Sequence, residues 1–403
     1  MAKLLFLVHR LPYPPNKGDK VRSYHLLKHL LQRHEVYLGT FVDDPEDEVH
    51  VETLAGLCAG LHVERLRPRL ARLNSLGALA AGGSLTERYY RHGALREWVR
   101  QTVQDEGIDT AIVFSSSMAP YVENLPGVRL LVDFVDVDSA KWTQYAQSHP
   151  WPLSWLYRLE GQRLLAAERR IAQSAQRSFF VTEAETELFR RLAPECAGRV
   201  EPMCNGVDGR YFAPDPTRVS PFAAGEVPLV FTGAMDYWPN VDAVRWFATQ
   251  VLPVLRERHP AARLHIVGRS PAPAVQALAG EAVSVTGTVP DVRPYLQHAA
   301  AVVAPLRLAR GIQNKVLEAM AMGQAVVASR TCAEPIGAPD TVLLPALGVD
   351  DFVRQIDGLL ADPARACRIG TAARQFVEQR FSWTAHLQRI DRFLAPTPQE
   401  LAA

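Results

Sequence analysis

The stretch Arg310-Gly311-Ile312-Gln313-Asn314-Lys315-Val316-Leu317-Glu318-Ala319-Met320-Ala321-Met322-Gly323, continued by Gln324-Ala325-Val326-Val327-Ala328-Ser329, is the most informative part of the chain. It reads as a glycine-bearing loop running into a helix that starts near Ile312 or Gln313 and ends at Gly323, followed by a short apolar strand. A helix start behind such a loop attracts anions, because open N–H groups and the positive end of the helix dipole face the same point. Lys315 adds a full charge in the first turn, and Glu318 can accept from hydroxyls. Phosphate beside a polyol is the chemistry of a nucleotide sugar. The same residues also describe an amphipathic helix that packs Val316, Leu317, Met320 and Ala321 into a core.

The 403 residues exceed what one core usually supports, so two domains of roughly 200 residues each are expected. A hydrophobic fraction of 48% and a charged fraction of 22% are those of a soluble globular protein. Lys and Arg number 44 against 43 Asp and Glu, a formal charge of +1 that argues against a nucleic-acid partner. The five cysteines form no C-x-x-C pair, which fits a reducing cytoplasm. Leu4–Val8 is too short for a signal core and reads as a buried strand, and no apolar run reaches membrane-span length.

Apolar runs alternate with helical patterns throughout, the sequence form of right-handed βαβ units. Strands are expected at Leu4–Val8, Glu35–Thr40, Thr110–Phe114, Leu130–Val135 and Ser178–Val181 in the first half. In the second half they fall at Leu229–Thr232, Arg263–Val267, Val283–Thr286, Ala301–Ala304, Ala325–Ala328 and Thr341–Leu344. The expected class is α/β, with two doubly wound Rossmann-like domains. Pro and Gly punctuation near Met203–Asp215 sets the break between domains 1–204 and 205–380, and an amphipathic helix that comes after the second sheet is complete lies in 381–403.

Several loops then fall where ligands bind. Gly233, just after a strand, lets backbone come close to a ligand at the carboxyl edge of a sheet. Gly268-Arg269 repeats the design, Arg269 being either a crevice cation or a solvated surface residue. Asn240 and Asp291 read as helix N-caps, and Asn205-Gly206 as a bend with positive φ. Asp136-x-Asp138 could hold a divalent metal through oxygen ligands or could contact a sugar. His25 and His29 lack a third ligand. Arginines from Arg65 to Arg100 interleave with leucines, suiting either an anionic lipid surface or a surface helix whose stems cover the sheet.

Together these motifs resemble the family 4 GT-B glycosyltransferases, retaining enzymes marked by a Glu-x7-Glu signature. Glu318 falls on the second Glu, which holds ribose hydroxyls in that family, whereas Arg310 stands where the first Glu lies beside the donor sugar. Asn205-Gly206-Val207-Asp208 resembles the family's interdomain turn, and Phe381-Ser382-Trp383 the point where the tail crosses back to the first domain. The opening His-Arg-Leu-Pro-Tyr-Pro-Pro-Asn-Lys-Gly-Asp-Lys is similar to that of bacterial sugar transferases of exopolysaccharide and exosortase (PEP-CTERM) loci. The resemblance implies that Gly18, Arg22, Gly233, Arg269, Lys315 and Glu318 hold a UDP- or GDP-sugar across a cleft. It implies catalytic or sugar-contacting roles for Asp136, Asp138 and Arg310, with no cofactor and no metal.

The implied activity is retaining transfer of a sugar to a cell-surface polysaccharide precursor on a lipid carrier, in the cytoplasm and in peripheral contact with anionic membrane. Two alternatives stay open: a GT-B nucleotide-sugar epimerase, and a catalytically silent sugar-nucleotide-binding partner, prompted by Arg310.

Overall fold

The computed structural model describes residues 1–15, 18–309 and 311–394. The chain divides into two units, Met1–Cys204 with Leu387–Ala403, and Asn205–His386. The first is built on β1 (Lys3–Val8), β2 (Glu35–Val42), β3 (Gly60–Arg65), β4 (Thr110–Phe114), β5 (Arg129–Val135), β6 (Arg177–Phe180) and β7 (Val200–Pro202). Their order is β3-β2-β1-β4-β5-β6-β7, parallel throughout. The second holds β8 (Val227–Thr232), β9 (Ala262–Val267), β10 (Val283–Gly287), β11 (Ala301–Ala304), β12 (Val326–Ser329) and β13 (Leu344–Ala346). These pair in the order β10-β9-β8-β11-β12-β13, again all parallel.

Parallel sheets are covered on both faces, so their central strands are apolar along their whole length. Every residue of β4 and of β11 is buried. The edge strands β3 and β7 were not expected, because β3 is nowhere fully buried and interrupts its apolar residues with His62 and Glu64, and β7 is three residues long and only partly buried. In each sheet the chain winds outward from a central strand and then resumes on that strand's other side. The reversal lies between β1 and β4 in one unit and between β8 and β11 in the other. Open α/β sheets bind ligands at the carboxyl ends of strands flanking such a reversal.

The helices that bear on the sites are α1 (Gly18–Leu31), α2 (Pro68–Ala81), α3 (Asp138–Ser148), α4 (Leu153–Ser174), α5 (Trp238–Trp246), α6 (Asn314–Ala321) and α7 (Trp383–Leu394). The tail returns to the first unit from Leu387 on. There Asp391 accepts from His29 Nε2 at 2.7 Å and Phe393 packs on Phe179, which accounts for His29 as a structural residue.

Two turn readings need correction. Gly206 is absent from the residues with positive φ. A glycine is needed there because a Cβ would lie 2.5 Å from the Trp383 backbone nitrogen. Asn240 is no N-cap, since α5 already begins at Trp238 with Tyr237 before it, and Asn240 is buried inside the helix.

Candidate functional site

In the second unit the carboxyl ends of β8, β9 and β10 are glycines stacked edge to edge. Gly233 donates to Val267 O at 3.0 Å, and Gly268 donates to Gly287 O at 3.2 Å. Gly233 and Gly268 have φ of 154° and 150°, values that side-chain-bearing residues rarely adopt. A Cβ on Gly233 would lie 2.8 Å from Lys315 Nζ, so this lysine reaches back from α6 to the end of β8.

Helix α6 begins at Asn314, with Gln313 at the cap position making no side-chain cap bond, and Met322 and Gly323 follow its end. The expected start is thus two residues early at most. Val316, Leu317, Ala319, Met320 and Ala321 are buried, so one face of the helix builds the core. Lys315 and Glu318 stand only half-buried. The core-packing reading of this helix holds for that face, and Lys315 and Glu318 stand on the other.

Lys315 Nζ donates to Asn240 Oδ1 at 2.6 Å and sits 4.2 Å from the centre of the Phe231 ring. Asn240 in turn donates to Ala234 O at 2.8 Å, which fixes the amide that orients the lysine. No carboxylate pairs directly with Lys315 among its described hydrogen bonds. Crowding by protein pushes its ammonium down to about 8, offset only in part by Cys332 and Glu318. The same crowding pushes the Glu318 carboxyl up to about 7 against the pull of Lys315. A cation and a carboxyl held in this state would each gain from a ligand: a phosphate for the lysine, hydroxyl donors for the glutamate. Arg269 follows Gly268, is half-buried, and its carbonyl accepts from Met235 N at 2.9 Å. Arg310 lies outside the described residues.

In the first unit the expected residues separate. Gly18 opens α1 at an exposed position with open space around it. Asp19 lies in the first turn of that helix. Arg22 turns inward. It is 1% exposed, and its guanidinium forks onto Asp133 at 2.7 and 2.9 Å, tying α1 to the end of β5. Lys20 is buried likewise against Asp47 at 2.5 Å. Buried pairs of this kind are costly to break from one side, so both act as struts.

Asp136 and Asp138 do come together, but around a side chain that was not expected. Lys141 Nζ lies 2.8 Å from Asp136 and 2.9 Å from Asp138, and the two carboxylates hold its ammonium well above the ordinary range despite burial. Val135, just ahead, has φ of 69°, rare for a β-branched residue and costing about 1–3 kcal/mol. The turn is held from several sides. Val135 N donates to Asp133 Oδ1 at 3.2 Å, Val137 N to Glu185 at 2.8 Å, and Ser139 donates twice to buried Glu168. Burial pushes the Glu168 carboxyl up to about 8. Strain of this kind persists at positions that the surroundings over-determine, and these cluster at functional sites.

His9 was missed. It follows β1 at the reversal point, stacks on Phe114 at the end of β4 with ring centres 5.8 Å apart, and approaches Asp19 at 3.5 Å. Burial alone would raise the Asp19 carboxyl, but His9 and Arg10 outweigh it and hold it below the usual range. The signal was available: a histidine directly after the first strand of a doubly wound sheet sits where ligands bind. Lys141 offered only its spacing, three residues after Asp138. Among the described residues, no three His, Cys, Asp or Glu side chains converge as a metal set.

Residues 226–362, which include the glycine edge, Lys315 and Glu318, match the family described as Glycosyl transferases group 1. The GDP-mannose-dependent alpha-(1-6)-phosphatidylinositol monomannoside mannosyltransferase of Mycolicibacterium smegmatis is 30% identical over 256 residues, covering 57% of this chain and 64% of that one. The chain thus spans somewhat under two thirds of that relative's length. Among solved structures, Anabaena Alr3699/HepE in complex with UDP superposes with a TM-score of 0.71 at 16% identity, covering 98% of this chain and 99% of that one. Sucrose-phosphate synthase (tll1590) from Thermosynechococcus elongatus does so with a TM-score of 0.74 at 17% identity, covering 98% of each. The family match thus falls within the second unit, and the chain has the GT-B fold with its two parallel-sheet Rossmann-like units.

Proposed function

We propose that this protein is a glycosyltransferase that moves a sugar from a nucleotide-sugar donor to a cell-surface polysaccharide precursor. The observation that carries the reading is the arrangement of Lys315 against Gly233, with Glu318 one helical turn away. Glycine backbone, a helix start and a lysine without a directly paired carboxylate make a diphosphate site, and a carboxyl shifted by crowding awaits hydroxyl donors. In this reading Lys315, Gly233 and Arg269 bind the diphosphate and Glu318 the ribose. Gly18, at the start of α1, contributes backbone to the same diphosphate, and Arg310 grips the sugar or the leaving phosphate. The relative from Mycolicibacterium smegmatis is GDP-mannose-dependent and HepE was solved with UDP, which supports a UDP- or GDP-sugar as donor.

Transfer proceeds with retention. The acceptor hydroxyl attacks the anomeric carbon on the face from which the phosphate departs, and the departing phosphate oxygen takes the hydroxyl proton. Asp136 and Asp138 orient the acceptor through the fixed Lys141 clamp. Arg22 takes no part in binding and instead holds Asp133, and with it the strained turn. The acceptor is carried on a lipid at the cytoplasmic face of the membrane, in the setting of the exopolysaccharide and exosortase loci whose transferases the chain resembles. Exposed Leu70 and Leu73 on α2, beside exposed Arg69 and Arg72, support a surface that meets lipid.

Calorimetry of the folded protein with UDP, GDP and their sugars tests the donor site, with Lys315→Ala as control. Absence of binding to every nucleoside diphosphate would remove the reading. Turnover with polyprenyl-linked acceptors, followed by the anomeric coupling of the product, then tests transfer and retention.

A further inference from the structure

Helices α3 and α4 form an antiparallel hairpin whose base is the Asp136–Asp138–Lys141 turn and whose tip is unlike the rest of the surface. Every residue from 147 to 153 is exposed. Trp151 is 81% exposed, Trp155 54%, Leu153 43% and Tyr145 39%. Three of the chain's seven tryptophans fall between residues 139 and 159, and that segment contains no Asp or Glu. Its basic side chains toward the tip are Arg158 and His149, both exposed. The first carboxylate beyond it, Glu160, is buried and bound to Ser84 and Thr86.

Inside the hairpin, Tyr157 packs against Trp142 with ring centres 5.3 Å apart and against His149 at 5.1 Å, and Trp142 meets Tyr145 edge-on at 6.1 Å. These rings stiffen the tip, so Trp151 and Trp155 stay outside by construction and not for want of neighbours. A soluble surface rarely leaves two tryptophans and a leucine open together on a convex end. Amphipathic aromatic rings held at a tip that lacks carboxylates suit the headgroup layer of a bilayer, where one side of the ring is apolar and the other wet.

We infer that the 147–155 tip is a membrane anchor that inserts Trp151, Leu153 and Trp155 into the interface of an anionic bilayer. It rests on the lipid-borne acceptor proposed above only for its purpose, since docking requires no catalysis. Among the described residues no helix is long and apolar enough to cross a membrane. The geometry also gives the anchor a use. Helix α3 has 11 residues, a rise of roughly 16 Å between the tip and the Asp136–Asp138–Lys141 turn. A sugar on a lipid headgroup would be presented at about that height above the bilayer.

The test uses the full chain and vesicles of phosphatidylcholine alone or mixed with phosphatidylglycerol. The wild type should co-sediment with the mixed vesicles, and its tryptophan emission should shift to the blue and be quenched by brominated lipid. Trp151→Ser/Trp155→Ser should keep its melting temperature and its turnover of a water-soluble acceptor. Its partition should fall by roughly tenfold or more, with the blue shift lost. Arg65→Gln/Arg67→Gln/Arg69→Gln/Arg72→Gln should bind less tightly yet keep the blue shift.

Unchanged partition of the tryptophan variant, or binding of the wild type with no shift in emission, overturns the inference. So does sedimentation velocity in which the wild type self-associates without lipid and the tryptophan variant does not, because the tip would then serve a second copy of the chain. Failure of nucleotide binding would remove the proposed function and leave a tip-dependent vesicle signal standing.

Discussion

Gly268 lies so close to Gly233 that a Cβ added to it would sit 1.7 Å from the Gly233 carbonyl oxygen. The two strand ends can meet only as glycines, and that contact brings the backbone to the place where Lys315 points. Gly268→Ala must therefore move β8 or β9, and should destabilise the fold by about 1–3 kcal/mol or more. Gly233→Ala meets side-chain ends, Lys315 Nζ and the Asn240 amide at 2.8 Å, instead of backbone, but its φ of 154° strains any residue with a Cβ, so it should cost less stability than Gly268→Ala and still lose nucleotide binding. Chemical denaturation alongside calorimetry with UDP and GDP separates the two outcomes.

Glu318→Gln should weaken UDP or GDP itself by about 1.5–3 kcal/mol, the scale of hydrogen bonds to a charged acceptor. The same substitution should stabilise the free protein above neutral pH. The Glu318 carboxyl is raised to about 7, so its contribution is fully present below about 4.5 and is lost as pH rises through 7. Glutamine does not ionise and escapes that loss. Unchanged nucleotide affinity in a folded variant would take Glu318 out of the site.

Lys315, lowered to about 8, gives the binding reaction its own pH signature. Free protein loses this proton as pH rises through 8, while a bound diphosphate favours the charged form. Affinity should therefore fall above pH 8, and binding there should take up a proton. Measuring the calorimetric enthalpy in buffers of different ionisation heat reveals the uptake. Lys315→Met should abolish it, and a persistent uptake in that variant would assign the proton elsewhere.

Because Lys141 already fills the space between Asp136 and Asp138, donor binding should be indifferent to EDTA in the wild type. Lys141→Ala removes that cation and leaves two carboxylates facing each other, so this variant should acquire affinity for Mn2+. A wild-type protein that loses donor binding on chelation and regains it with Mn2+ would show that the lysine yields its place.

Glu168 makes a stability prediction independent of any ligand. Its carboxyl is raised to about 8 by burial, so it holds a proton in the folded chain over a range where the unfolded chain has lost it. Stability from this group should decline with a slope of about 1.4 kcal/mol per pH unit between pH 4.5 and 8. Glu168→Gln should flatten that slope. Urea midpoints at pH 5 and pH 8 for both proteins provide the comparison, and parallel pH profiles would contradict the assignment.

Local pattern made much of this protein legible from sequence. Strands such as β4 and β11 are buried at every position because both of their faces are covered, and apolar runs such as Ala111–Phe114 and Ala301–Ala304 are visible without any partner. Glycines at the ends of β8 and β9, and the helix bearing Lys315 and Glu318, were marked by spacing alone, since a strand end, a glycine and a helix start are all local events. Tertiary structure decided the rest. Arg22 and Asp133 lie 111 positions apart, and Lys315 and Asn240 lie 75 apart, so no local periodicity records that they meet. Arg22 looked like a ligand contact because its position in the first turn was visible and its burial against β5 was not. The edge strands β3 and β7 escaped for the complementary reason: their place in the sheet comes from pairing with a neighbour already laid down, and a strand half open to solvent needs no apolar run to hold it there.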